Sequence, residues 1–268
     1  MLQGILQGLE KEYKKDQPVI YNILLGENRL CLNEYIGKEL LLSALGPIYC
    51  SACGRSIKKT YQGGYCYPCC LSLAQADICM VRPELCHFDK GTCRDSQWAK
   101  SHCLIPHSIY LAWGSALKVG ITRSYRRLSR WMDQGALAAI VLGEVDSRKL
   151  AGQIEVYVKK DCGIADKTNW RTMLKSDLSP PSSQDLKEKR KLLVSNISER
   201  FADFRASELD PIFFSYPRKI NPEKIKTYNF DKTAQIKDTL MGLKGQYLIY
   251  SNAVLNLRKF MGYELRLG

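Results

Sequence analysis

The chain has 268 residues, 45% hydrophobic and 25% charged. It is long enough to bury a core and too apolar for wholesale disorder, collagen or a low-complexity polymer. Forty Lys+Arg against twenty-seven Asp+Glu leave a net charge of +13, which points to a polyanionic partner, nucleic acid ahead of an acidic membrane surface. No apolar run approaches the roughly 18 residues that a membrane span needs. The first residues lack the basic and apolar regions of a signal peptide. The expectation is a cytoplasmic protein without a membrane partner. Its eleven cysteines then call for metal rather than disulfides.

Residues 1–46 read as an N-terminal β region. Val19, Tyr21 and Ile23 alternate with Ile20, Asn22 and Leu24, a turn follows at Gly26-Glu27-Asn28, and 40–45 is an apolar run. Residues 47–107 form a Cys-rich module with nine of the cysteines and all three histidines. Cys50-x2-Cys53 and Cys66-x2-Cys69 are separated by twelve residues. Each pair puts two thiolates on one tight turn, and two such turns supply the four soft ligands of a tetrahedral zinc ion, as in a zinc ribbon. Gly54, Gly63 and Gly64 suit the knuckles. Cys79, Cys86, Cys93 and Cys103 follow, with six, six and nine residues between them and His87, His102 and His107 interleaved. They predict a second four-coordinate site, holding structural zinc or an iron–sulfur cluster, in which a histidine could replace one cysteine.

Residues 108–176 read as a β-β-α-β-α core. Strands over 109–113 and 117–121 make a hairpin, with Gly120 marking a close backbone approach. Ser124 is the expected cap of a helix that turns Tyr125, Leu128, Trp131 and Met132 inward. Arg123, Arg126, Arg127 and Arg130 take its other side. A buried strand over 137–145 precedes a helix capped by Ser147, with Leu150, Ala151, Ile154, Tyr157 and Val158 as its core stripe. Residues 177–210 form a polar helical linker, helical from about 184 to 204. Residues 211–268 form a C-terminal β module with strands over 212–216, 245–250, 254–257 and 263–267. The fold class is α+β, with small β domains flanking the core.

Ser108-Ile109-Tyr110, Lys118-Val119-Gly120, Arg127 on the next helix and Glu155 on a later one resemble, in that order, the core of GIY-YIG nucleases. Lys in place of the second Tyr is similar to the phage-type branch. The resemblance covers about residues 108–160. It implies that Tyr110 is a general base, that Arg127 stabilises charge at phosphorus, and that Glu155 holds one Mg2+ or Mn2+; a Tyr with a pKa of about 10 is a poor base at neutral pH, so a nearby cation such as Lys118 has to lower it. The first motif departs in reading Ser-Ile-Tyr. The step from Gly120 to Arg127 is one residue short, which leaves Arg126 or Arg130 for the same role. Arg123, Arg126, Arg130, Lys167, Trp170 and Arg171 are candidate nucleic-acid contacts, because Lys and Arg pair with phosphate and Trp stacks on bases. Pro83-Glu-Leu-Cys-His87, Gly91-Thr-Cys-Arg94, 118–123, Asp133-Gln-Gly-Ala136 and 166–171 make most of the chain similar to an uncharacterised prokaryotic family, which brings no activity with it.

Two function classes follow. One is a zinc-binding, metal-dependent endonuclease that hydrolyses phosphodiester bonds in DNA or RNA. The other is a non-catalytic, zinc-stabilised nucleic-acid-binding protein, or an RNA-modification or repair accessory, that keeps the nuclease fold.

Overall fold

A computed structural model describes residues 1–175, 179–222 and 225–268. The strands are β1 (Leu2–Glu12), β2 (Ile20–Leu25), β3 (Asn28–Cys31), β4 (Glu39–Ile48), β5 (His107–Trp113), β6 (Leu117–Arg123), β7 (Ala138–Val145), β8 (Arg205–Ala206), β9 (Ile212–Phe213), β10 (Gln235–Lys244), β11 (Tyr247–Tyr250), β12 (Val254–Asn256) and β13 (Tyr263–Leu267). The α-helices are α1 (Tyr67–Ser72), α2 (Ser96–His102), α3 (Arg127–Asp133), α4 (Arg148–Lys160), α5 (Trp170–Lys175) and α6 (Ser183–Arg200). The architecture is mixed α+β with antiparallel sheets. Among the described residues no helix is long and apolar enough to cross a membrane.

The chain divides into two compact units. Unit 1 joins Met1–Leu71 to Phe214–Gly268. Its sheet has the order β12-β11-β10-β4-β13-β1-β2-β3. The two chain ends, which the sequence reading treats as separate β regions, thus share one sheet, with Leu2 opposite Leu267 and Ile5 opposite Glu264. Leu6, Tyr21, Leu40, Leu42, Leu240 and Leu265 are among its fully buried side chains. Two long strands, β1 and β10, escape the hydrophobic pattern. Gly8 breaks the alternation of β1 and sits at a register shift with a φ of 133°. The inward positions of β10 include Asp238 and Lys244, which are polar yet buried.

Unit 2, Ser72–Phe213, holds a sheet of order β6-β5-β7-β8 with β9 also on β7. β5 pairs with both β6 and β7 and is its central strand, with Tyr110 opposite Gly120 and Val141. The predicted β-β-α-β-α order is present. Ile109, Leu111, Val119, Ile140, Ile154 and Leu193 lie in its core. Ser147 caps α4 by accepting from Leu150 N at 3.2 Å. Ser182 and Asp185 cap α6 reciprocally.

The start of α3 differs from expectation. A single 3-10 turn over Ser124–Arg126 precedes it, so the helix begins at Arg127. The Ser124 hydroxyl bonds Ser108 Oγ at 2.9 Å instead of capping. The added turn rotates Tyr125 outward, to 72% exposure, and leaves Trp131 and Met132 as the buried pair. The expected boundary between the core and the linker, at 176 and 177, lies outside the described residues.

Candidate functional site

In unit 1, Cys50 and Cys53 flank a turn in which Gly54 N donates to Cys50 O at 3.0 Å. Gly54, at a φ of 70°, takes the left-handed conformation that lets the chain reverse beneath the sulfurs. Cys66 and Cys69 sit at the start of α1. The four Sγ atoms lie within 4.8 Å of one another, and Cys53 Sγ and Cys66 Sγ are 3.8 Å apart. A tetrahedral ion with Zn–S bonds of about 2.3 Å has sulfurs about 3.8 Å apart, so this donor set fits zinc. Cys66 N donates to Cys50 Sγ at 3.2 Å. Burial raises the Cys50 thiol, but the N–H groups of Cys53, Cys66 and Ala52 outweigh it and bring it down to about 6. The neighbouring Cys66 thiol pushes Cys69 up to about 12. Sulfurs this crowded deprotonate together only around a cation.

In unit 2 a charge cluster forms where β5, β6, α3 and α4 meet the 165–166 segment. Tyr110 on β5 is fully buried. Its Oη accepts from Gln134 Nε2 at 2.8 Å, and its ring packs edge-on against Trp131 at 5.7 Å. A Cβ on Gly120 would meet Tyr110 Oη at 2.6 Å. This is the close approach that the glycine in β6 signals. Burial raises the Tyr110 phenol, opposed by Arg130 and Gln134. Lys118, also on β6, is buried. Burial and then Arg130 pull it down to about 8, against Glu155 and Asp166. Glu155 on α4 is half-buried and faces the hairpin. Burial and then Asp166 raise it to about 7, against Arg130, Lys118 and Arg148. Asp166 itself pairs with Lys159 at 2.8 Å.

Tyr110, Lys118 and Glu155 therefore come together with Arg130. Arg127 does not join them. It stands at the first position of α3, one turn before Arg130, and reaches Glu144 of β7 at 3.8 Å. Arg123 donates to Tyr125 Oη at 2.9 Å and stacks on its ring. Arg171 lies 4.4 Å from the Trp170 ring centroid. Arg126 and Lys167 are exposed. Gln134 and Asp166 are members that sequence reasoning did not assign to the cluster. Both lie in strings singled out for the family resemblance, 133–136 and 166–171, which was the available signal.

The second cysteine set shares a cavity, but its four sulfurs are not gathered within 4.8 Å of one another as those of unit 1 are; the donors that are so gathered there are those of Asp77, Cys79 and His87. Cys79, Cys86, Cys93 and Cys103 line one small cavity together with Asp77, His87, Arg94 and Trp98.

No curated protein and no solved structure matches the chain. The profile of a family described as "Protein of unknown function (DUF2797)" matches residues 37–265. That span takes in both the four-cysteine cluster and the charge cluster, and the chain belongs to this family.

Proposed function

We propose that the chain is a zinc-braced nucleic-acid-binding protein that hydrolyses phosphodiester bonds in DNA or RNA at the charge cluster of unit 2. The observation that carries this reading is the meeting of Tyr110, Lys118, Arg130 and Glu155 from four separate elements. Glu155 is raised to about 7 and Lys118 lowered to about 8. Groups displaced toward neutrality by burial and by specific charged partners are candidates for proton transfer.

A Mg2+ or Mn2+ held by Glu155, with Asp166 beside it, would supply charge to the non-bridging oxygens and acidify a water. Arg130 stabilises the charge that grows on the phosphate. Lys118, brought down to about 8, is the group placed to take a proton; Tyr110, whose phenol burial raises rather than Lys118 lowers, keeps its proton, and Gln134 fixes the direction of its hydroxyl. The Arg123–Tyr125 and Arg171–Trp170 pairs combine a cation with an aromatic face, which suits phosphate contact and base stacking. Zinc at Cys50, Cys53, Cys66 and Cys69 stabilises a segment with little apolar core of its own.

The full burial of Tyr110 favours a second reading, in which the fold binds nucleic acid without cutting it. Incubating labelled DNA and RNA with the whole chain and Mg2+ or Mn2+ separates the two. Cleavage that Glu155→Ala lowers by at least ~100-fold, the scale of a lost electrostatic stabiliser, with binding retained, supports the first. Binding without cleavage by either chain supports the second. Affinity that does not fall with salt sinks both, since each phosphate neutralised contributes a slope of about −0.9 in log–log form.

A further inference from the structure

We propose a second thiolate metal site, in unit 2, in which Cys79, Cys86, Cys93 and Cys103 hold one zinc-type ion. The four residues come from three one-turn or irregular segments and the end of α2, yet all line the same cavity. Its volume is about 10 Å3, close to that of a single water-sized occupant. That is room for one small ion, and the four sulfurs, which are not within 4.8 Å of one another, have to draw in around it to complete a tetrahedral shell.

The polar neighbours are already engaged. Asp77 accepts from Cys79 N at 3.2 Å, pairs with Arg94 Nε at 2.8 Å and meets His87 Nε2 at 3.4 Å. His87 Nδ1 bonds Thr92 Oγ1 at 2.8 Å. With both ring nitrogens occupied, His87 belongs to the ring of partners that orients the thiolate turns, and the four sulfurs are the ligands. Asp77, Cys79 and His87, whose donor atoms lie within 4.8 Å of one another, are the rival set.

A second observation asks for an ion here. Residues 74–90 fold as single 3-10 turns. Three of their large apolar side chains point outward: Ile78 is 55%, Val81 64% and Leu85 45% exposed. Such a segment lacks the core to hold its shape, the situation in which structural zinc is used. The same segment docks on α4. Arg148 N donates to Cys103 O at 2.7 Å and Arg148 Nη2 to Met80 O at 2.8 Å. A Cβ on Gly152 would meet Pro83 Cβ at 2.6 Å. The ion thus braces a face of the helix that carries Glu155.

The test is the metal content of the whole chain, purified without chelator, by emission spectroscopy, with X-ray absorption at the zinc edge. The expected result is two zinc ions per chain and a first shell of sulfur alone at about 2.3 Å. Cys86→Ser with Cys93→Ser should leave one ion, Cys50→Ser with Cys53→Ser should also leave one, and His87→Ala should keep both. One zinc in the wild-type chain, nitrogen or oxygen in the average shell, loss of an ion in His87→Ala, or a coloured protein containing iron and sulfide overturns the proposal. The wild-type measurements decide it even if the cysteine variants do not fold. None of them involves nucleic acid, so they stand apart from the outcome of the cleavage assay.

Discussion

Cys50 and Cys69 are 19 residues apart, and two local turns bring their sulfurs together with those of Cys53 and Cys66. Tyr110 and Glu155 are 45 residues apart, and their meeting depends on β5, β6, α3 and α4 all packing correctly. The first site is a property of short chain segments, which need only an ion to close them. The second is a property of a whole core, in which burial costs Glu155 and Lys118 more than their neighbours return. The difference teaches where each site is fragile. The thiolate site should fail with its ion, the charge cluster with its packing.

Cys66→Ser breaks the local site and carries the largest expected effect, since structural zinc in small modules contributes roughly 10–16 kcal/mol. Zinc content should fall by one ion per chain, and limited proteolysis should open the 49–70 segment. Unchanged protection with the ion gone would remove zinc from the account of that segment.

Arg130→Ala should lower cleavage by about 100- to 1,000-fold, as loss of a charge-stabilising donor does. Arg127→Ala, which removes the contact with Glu144, should cost under about threefold on the same scale. Equal losses in steady-state assays would return the role to Arg127.

His107, at the start of β5, tests the packing route through pH. It is fully buried and its ring contacts Ile105 O at 2.7 Å. Burial lowers its pKa to about 4. The unfolded chain takes up the proton first, near the ordinary value of about 6.5, so this residue's stability contribution is present above that pH and lost as pH falls toward 4. The loss is on the order of 3 kcal/mol, at ~1.4 kcal/mol per pKa unit. Urea unfolding at pH 7 and pH 4.5 should show a shallower fall for His107→Gln than for wild type. Taking the difference between the two chains cancels any acid sensitivity they share. Parallel slopes would contradict the assignment.

The smallest effect is at the hairpin. Gly120→Ala puts a methyl against the Tyr110 hydroxyl and should cost about 1–3 kcal/mol, the range for overpacking. Tyr110→Phe in the same chain removes the nearest atom and should recover part of the loss in thermal melts. A melting temperature unchanged by Gly120→Ala would show that the ring can move aside.

The legibility of the sequence follows the same divide. Cysteine spacing carries the unit 1 cluster outright, because a C-x2-C turn has few ways to fold. The strands of the hairpin, β7, α4 and β13 stand where periodicity puts them. Beyond those, position depends on contacts that no local pattern holds. One 3-10 turn over Ser124–Arg126 exchanges Arg127 for Arg130 and turns Tyr125 to solvent. Asp238 hides β10 from a hydrophobic count, since a buried carboxylate reads as a surface residue until Tyr228 and Asn252 are seen to donate to it at 2.8 and 3.1 Å. Pairing of the two chain ends in one sheet leaves no trace in either end alone.

Cleavage at this cluster depends, in the proposed reading, on Glu155 anchoring a hard cation beside a phosphate. Mn2+ binding followed by electron paramagnetic resonance, with a non-cleavable oligonucleotide present, tests it most directly. One tightly bound Mn2+ is expected per wild-type chain and none in Glu155→Ala at the same oligonucleotide occupancy. Equal Mn2+ binding by the two chains would contradict it.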